Sequence, residues 1–197
     1  MTQDETLERE VIGNMDQPEI FRFREALSFV LKWEREPGVS DDPDDRGGRT
    51  NDGITQSEYD LFRKRVGQPP RDVANISEDE LEAIYWHSYW LPSGATHALA
   101  PLDLALFDTG VNMGVETAIR LFQRAAGALT VDGVIGPKTK AALQAGPLAL
   151  TLDRMLDYRE ERYGRIVTRA PSQRKFLKGW MNRLDDLRRV CKGAMNT

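Results

Sequence analysis

Between two helix-patterned stretches the chain spends residues 39–53, VSDDPDDRGGRTNDG, almost without an apolar side chain. Such a segment cannot pack into a core, so any fold must carry it on the surface as a loop or a short hairpin. A compact domain seldom keeps a polar loop of this length unless the loop is functional or disordered. Helices must therefore build the core, and this loop is the place to look for chemistry.

Helix signals dominate the remainder. EIFRFREALSFVLKWERE follows Asp16 and Pro18 and brings Phe23, Leu27, Val30 and Leu31 to one helical face. Pro37 and Gly38 end that helix, because a residue before proline is pushed out of the α region. Thr55 with Glu58, and Ser77 with Glu80, have the spacing of capping boxes that open helices. Leu91 to Pro101 is a break with two prolines. LDLALFDTGVNMG and VETAIRLFQRAAG predict two helices closing near Gly114 and Gly127. Asp132-Gly133 predicts a tight turn, Pro137 opens a short helix, and 148–169 and 172–192 predict two long amphipathic helices. There is no repeat array and no alternation of strand and helix. The expected fold class is mainly α: a single domain with a small β-hairpin or loop at 39–55.

Composition narrows the function classes. A chain of 197 residues, 40% hydrophobic and 29% charged, can bury a substantial core and is not globally disordered. One cysteine, Cys191, makes an internal disulfide impossible. Two histidines, His87 and His97, with that single cysteine leave no ordinary His/Cys zinc set. An EF-hand loop begun at Asp42 puts Arg46 at its fifth position and Gly53 at its twelfth, where a Glu is required. No metal and no cofactor are expected. The opening MTQDETLEREV is acidic where a signal peptide is basic, and no stretch approaches the roughly 18 apolar residues of a membrane span. The expectation is a protein made in the cytoplasm, without stable membrane insertion, that depends on something else to reach any target outside. Residues 1–45 hold thirteen acids against five bases, whereas 171–197 hold seven bases against two acids. That basic end suits either an anionic surface or a solvated helix face.

The loop itself opens with a carboxylate, Glu36, at a helix C-terminus. The negative end of the helix dipole disfavours the ionised form there, which suits a general acid near neutral pH. Asp45 follows, then Gly47-Gly48, Thr50 and Gly53, in the pattern Glu-x8-Asp-x4-Thr-x2-Gly. Glycoside hydrolysis needs two carboxyl groups flanking the scissile bond, one protonated and one ionised. A helix end feeding a hairpin can set Glu36 and Asp45 on opposite walls of a cleft, with the Thr50 hydroxyl orienting a water. Glu34 is a rival acid by position, but on a helix it points about 200° away from Glu36.

Residues 36–55 resemble the signature of glycoside hydrolase family 108, an N-acetylmuramidase family of phage endolysins and bacterial secretion-activator proteins. Glu36, Gly38, Asp42, Pro43, Asp45, Gly47, Gly48, Thr50, Gly53, Ile54 and Thr55 match its motif in register. Pro37, Val39 and Asp52 depart from it, and two of these replace aromatic residues. A second block at 107–143 resembles the peptidoglycan-binding region that follows in this family, and KFLKGWMNR is also similar. The resemblance implies a lysozyme-like α fold cutting the bond between N-acetylmuramic acid and N-acetylglucosamine. It assigns the catalytic acid to Glu36 and supporting roles to Asp45 and Thr50.

Other candidates have competing readings. Asp42, before Pro43, suits a turn former as well as a substrate contact. Asp108 and Asn112, one helical turn apart, suit either a cleft wall or hydrogen bonds within the core. Trp86, Tyr89 and Trp90 cluster in YWHSYW; such rings fill cores or stack on sugars, and Trp90 is the candidate for substrate contact. His87 among them suits a hydrogen-bonded structural role. The expected organisation is an N-terminal extension (1–17), a catalytic lysozyme-like part (18–100) and a helical peptidoglycan-binding-like part packed on it (101–197). The expected partner of this monomer is bacterial peptidoglycan and not nucleic acid. The alternatives are a lytic transglycosylase, a non-catalytic wall-binding module, or a secretion accessory with the same chemistry.

Overall fold

The computed structural model describes residues 17–34, 49–127, 129–145 and 148–195. The chain divides into two compact units, Met1–Ser88 and Tyr89–Thr197.

In the first unit helix α1, Gln17–Glu34, buries Phe23, Leu27, Val30 and Leu31, the face its periodicity predicts. Strands β1 (Thr50–Asn51) and β2 (Ile54–Thr55) form an antiparallel hairpin, with Thr50 opposite Thr55 and Asn51 opposite Ile54. Its two-residue turn, Asp52-Gly53, has φ of 49° and 79°. Two positive φ values match the twist of a tight hairpin, and Asp-Gly is a pair that adopts them with little strain. Helix α2, Gln56–Arg65, starts where β2 ends, because Thr55 both closes the ladder and caps the helix. Its hydroxyl accepts from the Glu58 N–H at 3.3 Å while its own N–H donates to the Glu58 carboxylate at 3.0 Å.

A 3-10 turn at Val73–Asn75 precedes helix α3, Glu78–Tyr85. Ser77 and Glu80 form the second predicted capping box there. Glu80 does more than cap: buried among them, it accepts from the Tyr59 hydroxyl at 2.8 Å and from the guanidinium groups of Arg63 and Arg71. Burial alone would raise its pKa, but the Ser77 N–H, the Tyr59 hydroxyl and the Arg71 charge hold it below the usual carboxylate range. Phe23 of α1 meets Trp86 edge to face at 5.0 Å, which ties α1 to the end of α3.

The predicted break at 91–101 is a run of short helical turns. A π-helical turn, Trp86–Trp90, spans the boundary between the units, and Leu91–Ser93 and Ala95–His97 follow around Gly94 at φ 81°. The second unit then comprises α4 (Leu102–Met113), α5 (Val115–Ala126), α6 (Pro137–Gln144), α7 (Leu148–Arg169), a 3-10 turn at Pro171–Gln173 and α8 (Arg174–Ala194). Gly114 and Gly127 close α4 and α5 at φ 89° and 81°, as their positions predict.

Helix α4 is the axis of this core. Leu102, Ala105, Leu106 and Phe107 are buried on it, and α4 packs against α5, α7 and α8, which bury Phe122, Met155 and Leu187. In the middle lies Asp108, fully buried, with Arg159 and Arg183 paired to its two oxygens. The described residues are mainly α with one small hairpin, the expected fold class. Among the described residues no helix is long and apolar enough to cross a membrane.

Candidate active site

The polar loop that carries most of the predicted chemistry has two described edges, and the first unit holds both. On one side α1 is described as far as Glu34, a half-buried residue two positions short of Glu36. On the other side the chain re-enters at Arg49 and goes straight into the hairpin. Glu36, Asp42 and Asp45 lie outside the described residues.

The two edges meet at the hairpin turn. A Cβ built on Gly53 would stand 3.0 Å from Cβ of Glu34 and 2.6 Å from the Tyr85 hydroxyl. Only a residue without a side chain lets the turn approach that closely, and its φ of 79° also favours glycine. The Tyr85 hydroxyl, at the end of α3, donates to the Asp52 carbonyl at 3.0 Å. The turn is thus pinned from below by Tyr85 and lies against the last residue of α1.

The rest of the hairpin is held from its far side. Asn51 Nδ2 donates to the Val73 carbonyl at 3.2 Å, and the Val73 N–H donates to Oε1 of Gln56 at 2.7 Å. Gln56 Nε2 donates to the Arg71 carbonyl at 2.9 Å, and Arg49 pairs with Asp72 at 2.6 Å. Ile54, fully buried, fills the inner face. Period-two alternation sets Thr50 on the opposite face, across from Thr55. The one described member of the predicted catalytic set therefore sits on a braced hairpin, on the face turned away from Ile54.

The remaining predicted substrate contacts belong to the second unit, and two of them are corrected. Asp108 is 0% exposed and lies between two arginines, so it is a core residue and lines no cleft. Burial would raise its pKa, but the charges of Arg159 and Arg183 hold it below the usual carboxylate range. Trp90 is likewise 0% exposed and meets Phe107 edge to face at 5.5 Å, which leaves no ring face for a sugar. Asn112 is half-buried and accepts from the Tyr163 hydroxyl at 2.6 Å, a bond that links α4 to α7. His87 is exposed.

Tyr85, Gln56 and Asn51 are the positioning residues that sequence reasoning passes over. Asp52-Gly53 carries a legible turn signal. Nothing local marks Tyr85, because its partner is a backbone carbonyl 33 positions away. Among the described residues no group of three or more His, Cys, Asp or Glu side chains comes together as a metal site.

This arrangement, a pinned hairpin turn packed on Glu34 of α1, can be set beside known proteins. The family model for glycosyl hydrolase 108 matches residues 27–114, and that for a predicted peptidoglycan domain matches residues 117–185. Among solved structures, Brucella abortus SagA is 26% identical, with a TM-score of 0.69, over 87% of this chain and 94% of that chain. No curated protein matches the chain.

Proposed function

We propose that this chain, whose residues 27–114 match the glycosyl hydrolase 108 family and whose residues 117–185 match the predicted peptidoglycan domain, is a glycoside hydrolase of muramidase type that acts on peptidoglycan, and that it cuts as follows. The bond is the β-1,4 link between N-acetylmuramic acid and N-acetylglucosamine. Glu36 protonates the glycosidic oxygen as the bond breaks. Asp45, ionised, stabilises the oxocarbenium-like transition state or draws a proton from the attacking water, and Thr50 orients that water. Asp42 contacts substrate. The enzyme works as a monomer.

The observation that supports this reading most is the packing of the hairpin turn on Glu34. Glu36 follows Glu34 by two peptide units, a reach of about 7 Å, and the hairpin that packs on Glu34 carries Thr50 on its strand β1, so we assign both residues to one site. General acid catalysis requires such proximity before any tuning of pKa matters.

Loss of murein clearing tests the assignment. Glu36→Gln keeps the shape of the side chain and removes its transferable proton. A fall in rate of at least about 10²-fold with an unchanged melting temperature is expected. A Glu36→Gln enzyme that still clears murein, beside a dead Glu34→Gln enzyme, would move the acid to Glu34. A lytic transglycosylase would also need one glutamate. Mass spectrometry of the digest separates the two, because hydrolysis leaves a reducing N-acetylmuramic acid and transglycosylation leaves an anhydro sugar.

A further inference from the structure

Helices α7 and α8 are joined by only Ala170 and the turn Pro171–Gln173, which makes them antiparallel neighbours. Tyr163 of α7 stacks on Trp180 of α8 at 5.2 Å with 17° between the rings, and this contact sets their relative level. Arg165 and Arg169 on α7 then stand at the levels of Lys178 and Arg174 on α8.

The tip of this hairpin is unusual in charge. From Arg162 to Leu184 the chain contains no Asp or Glu. Arg165, Arg169, Arg174, Lys175 and Lys178 are all exposed there. Arg174 and Lys175 occupy the first turn of α8, where the helix dipole disfavours cations. Helix stability therefore does not account for their placement. Phe176 stands among them, 45% exposed, with its ring stacked on Trp180 at 6.0 Å and 29°. The rings of Tyr163, Trp180 and Phe176 thus form a stair from the core to the surface, and the Lys175 ammonium lies over the outermost ring at 4.8 Å, a surface side chain that a sugar ring would displace toward the stem-peptide carboxylates.

We propose that this tip is the surface by which the second unit docks on murein: Phe176 lies against the apolar face of a sugar ring, and Arg169, Arg174, Lys175 and Lys178 pair with stem-peptide carboxylates. The choice of occupant rests on the reading of the chain as a peptidoglycan hydrolase. Murein supplies both halves of the match, sugar faces and regularly spaced carboxylates, along one polymer. A bilayer would call for a continuous apolar helix face, and here one exposed ring stands among charges.

Binding to purified sacculi tests the dock, with Glu36→Gln as the parent protein so that the ligand is not digested. Arg174→Gln, Lys175→Gln and Lys178→Gln combined should weaken binding about tenfold at low salt, with the difference closing at high salt. Phe176→Ser should weaken it severalfold at all salt concentrations, whereas Lys175→Arg with Lys178→Arg should retain it. Sacculi whose carboxyl groups have been amidated should bind the parent as poorly as native sacculi bind the triple variant. Unchanged binding by the triple variant overturns the proposal. So does a loss confined to anionic phospholipid vesicles. Charge-dependent binding by a wild-type protein that clears no murein would leave the dock standing and remove the catalytic reading instead.

Discussion

Tyr85 is 1% exposed, and its hydroxyl is spent on a backbone carbonyl of the hairpin turn. That bond holds the turn, not the core, so Tyr85→Phe should cost only about 1 kcal/mol of stability. Its larger effect should appear in kcat, which is expected to fall several-fold while KM stays within about twofold, because the substrate is still bound but Thr50 is less well held. Gly53→Ala puts a methyl group into the Tyr85 hydroxyl and into Glu34 at positive φ, at a cost of about 1–3 kcal/mol. Combining it with Tyr85→Phe removes one of the two clashes, so the double variant should be less destabilised than the sum of the singles. Strict additivity by denaturant melts would mean that the turn does not rest on Tyr85. The same braced Thr50 argues for a held water over direct attack by Asp45. Inversion at the anomeric carbon is therefore expected, checked by NMR of the first product, and Thr50→Ala and Asp45→Ala should impair turnover less completely than Glu36→Gln.

The elements that local rules specify were readable, and those fixed by distant partners were not. Both capping boxes, the glycine closures of α4 and α5 and the Pro137 start of α6 involve residues within one turn of each other, and all appear where the spacing put them. The π-helical turn at Trp86–Trp90 has no such rule behind it. Trp90 and Asp108 were ambiguous for a related reason. An aromatic or an aspartate on a helix suits a cleft or a core equally until its partners are known, and Arg159 and Arg183 are 51 and 75 positions away from Asp108. That triad joins α4, α7 and α8, which gives an acid-stability prediction. Because its folded-state pKa is depressed, Asp108 contributes stability that is present above about pH 4, the unfolded value, and is lost as pH falls through the folded one. The melting temperature should drop below about pH 4, and Asp108→Asn should flatten that drop. At neutral pH the same substitution strands two buried cations and should cost about 3–5 kcal/mol. A neutral-pH melting temperature unchanged by Asp108→Asn would contradict this account.

Across the chain the uneven charge was legible as a basic C-terminal end, but its concentration at the tip of one helical hairpin follows only from the turn at 171–173. The polar run at 39–53 stands out in the sequence for the opposite reason, since a helical core has no place for it. The two family regions and the two compact units do not share a boundary. The glycosyl hydrolase match runs to Gly114 and so contributes α4, while the arginines that neutralise Asp108 of α4 come from within the peptidoglycan-domain match. Recombination that exchanged one region for an unrelated one would leave either an aspartate or two arginines stranded in a dry interior. The two halves of this gene are thus bound to be inherited together, and compensated together, although sequence families record them as separate modules.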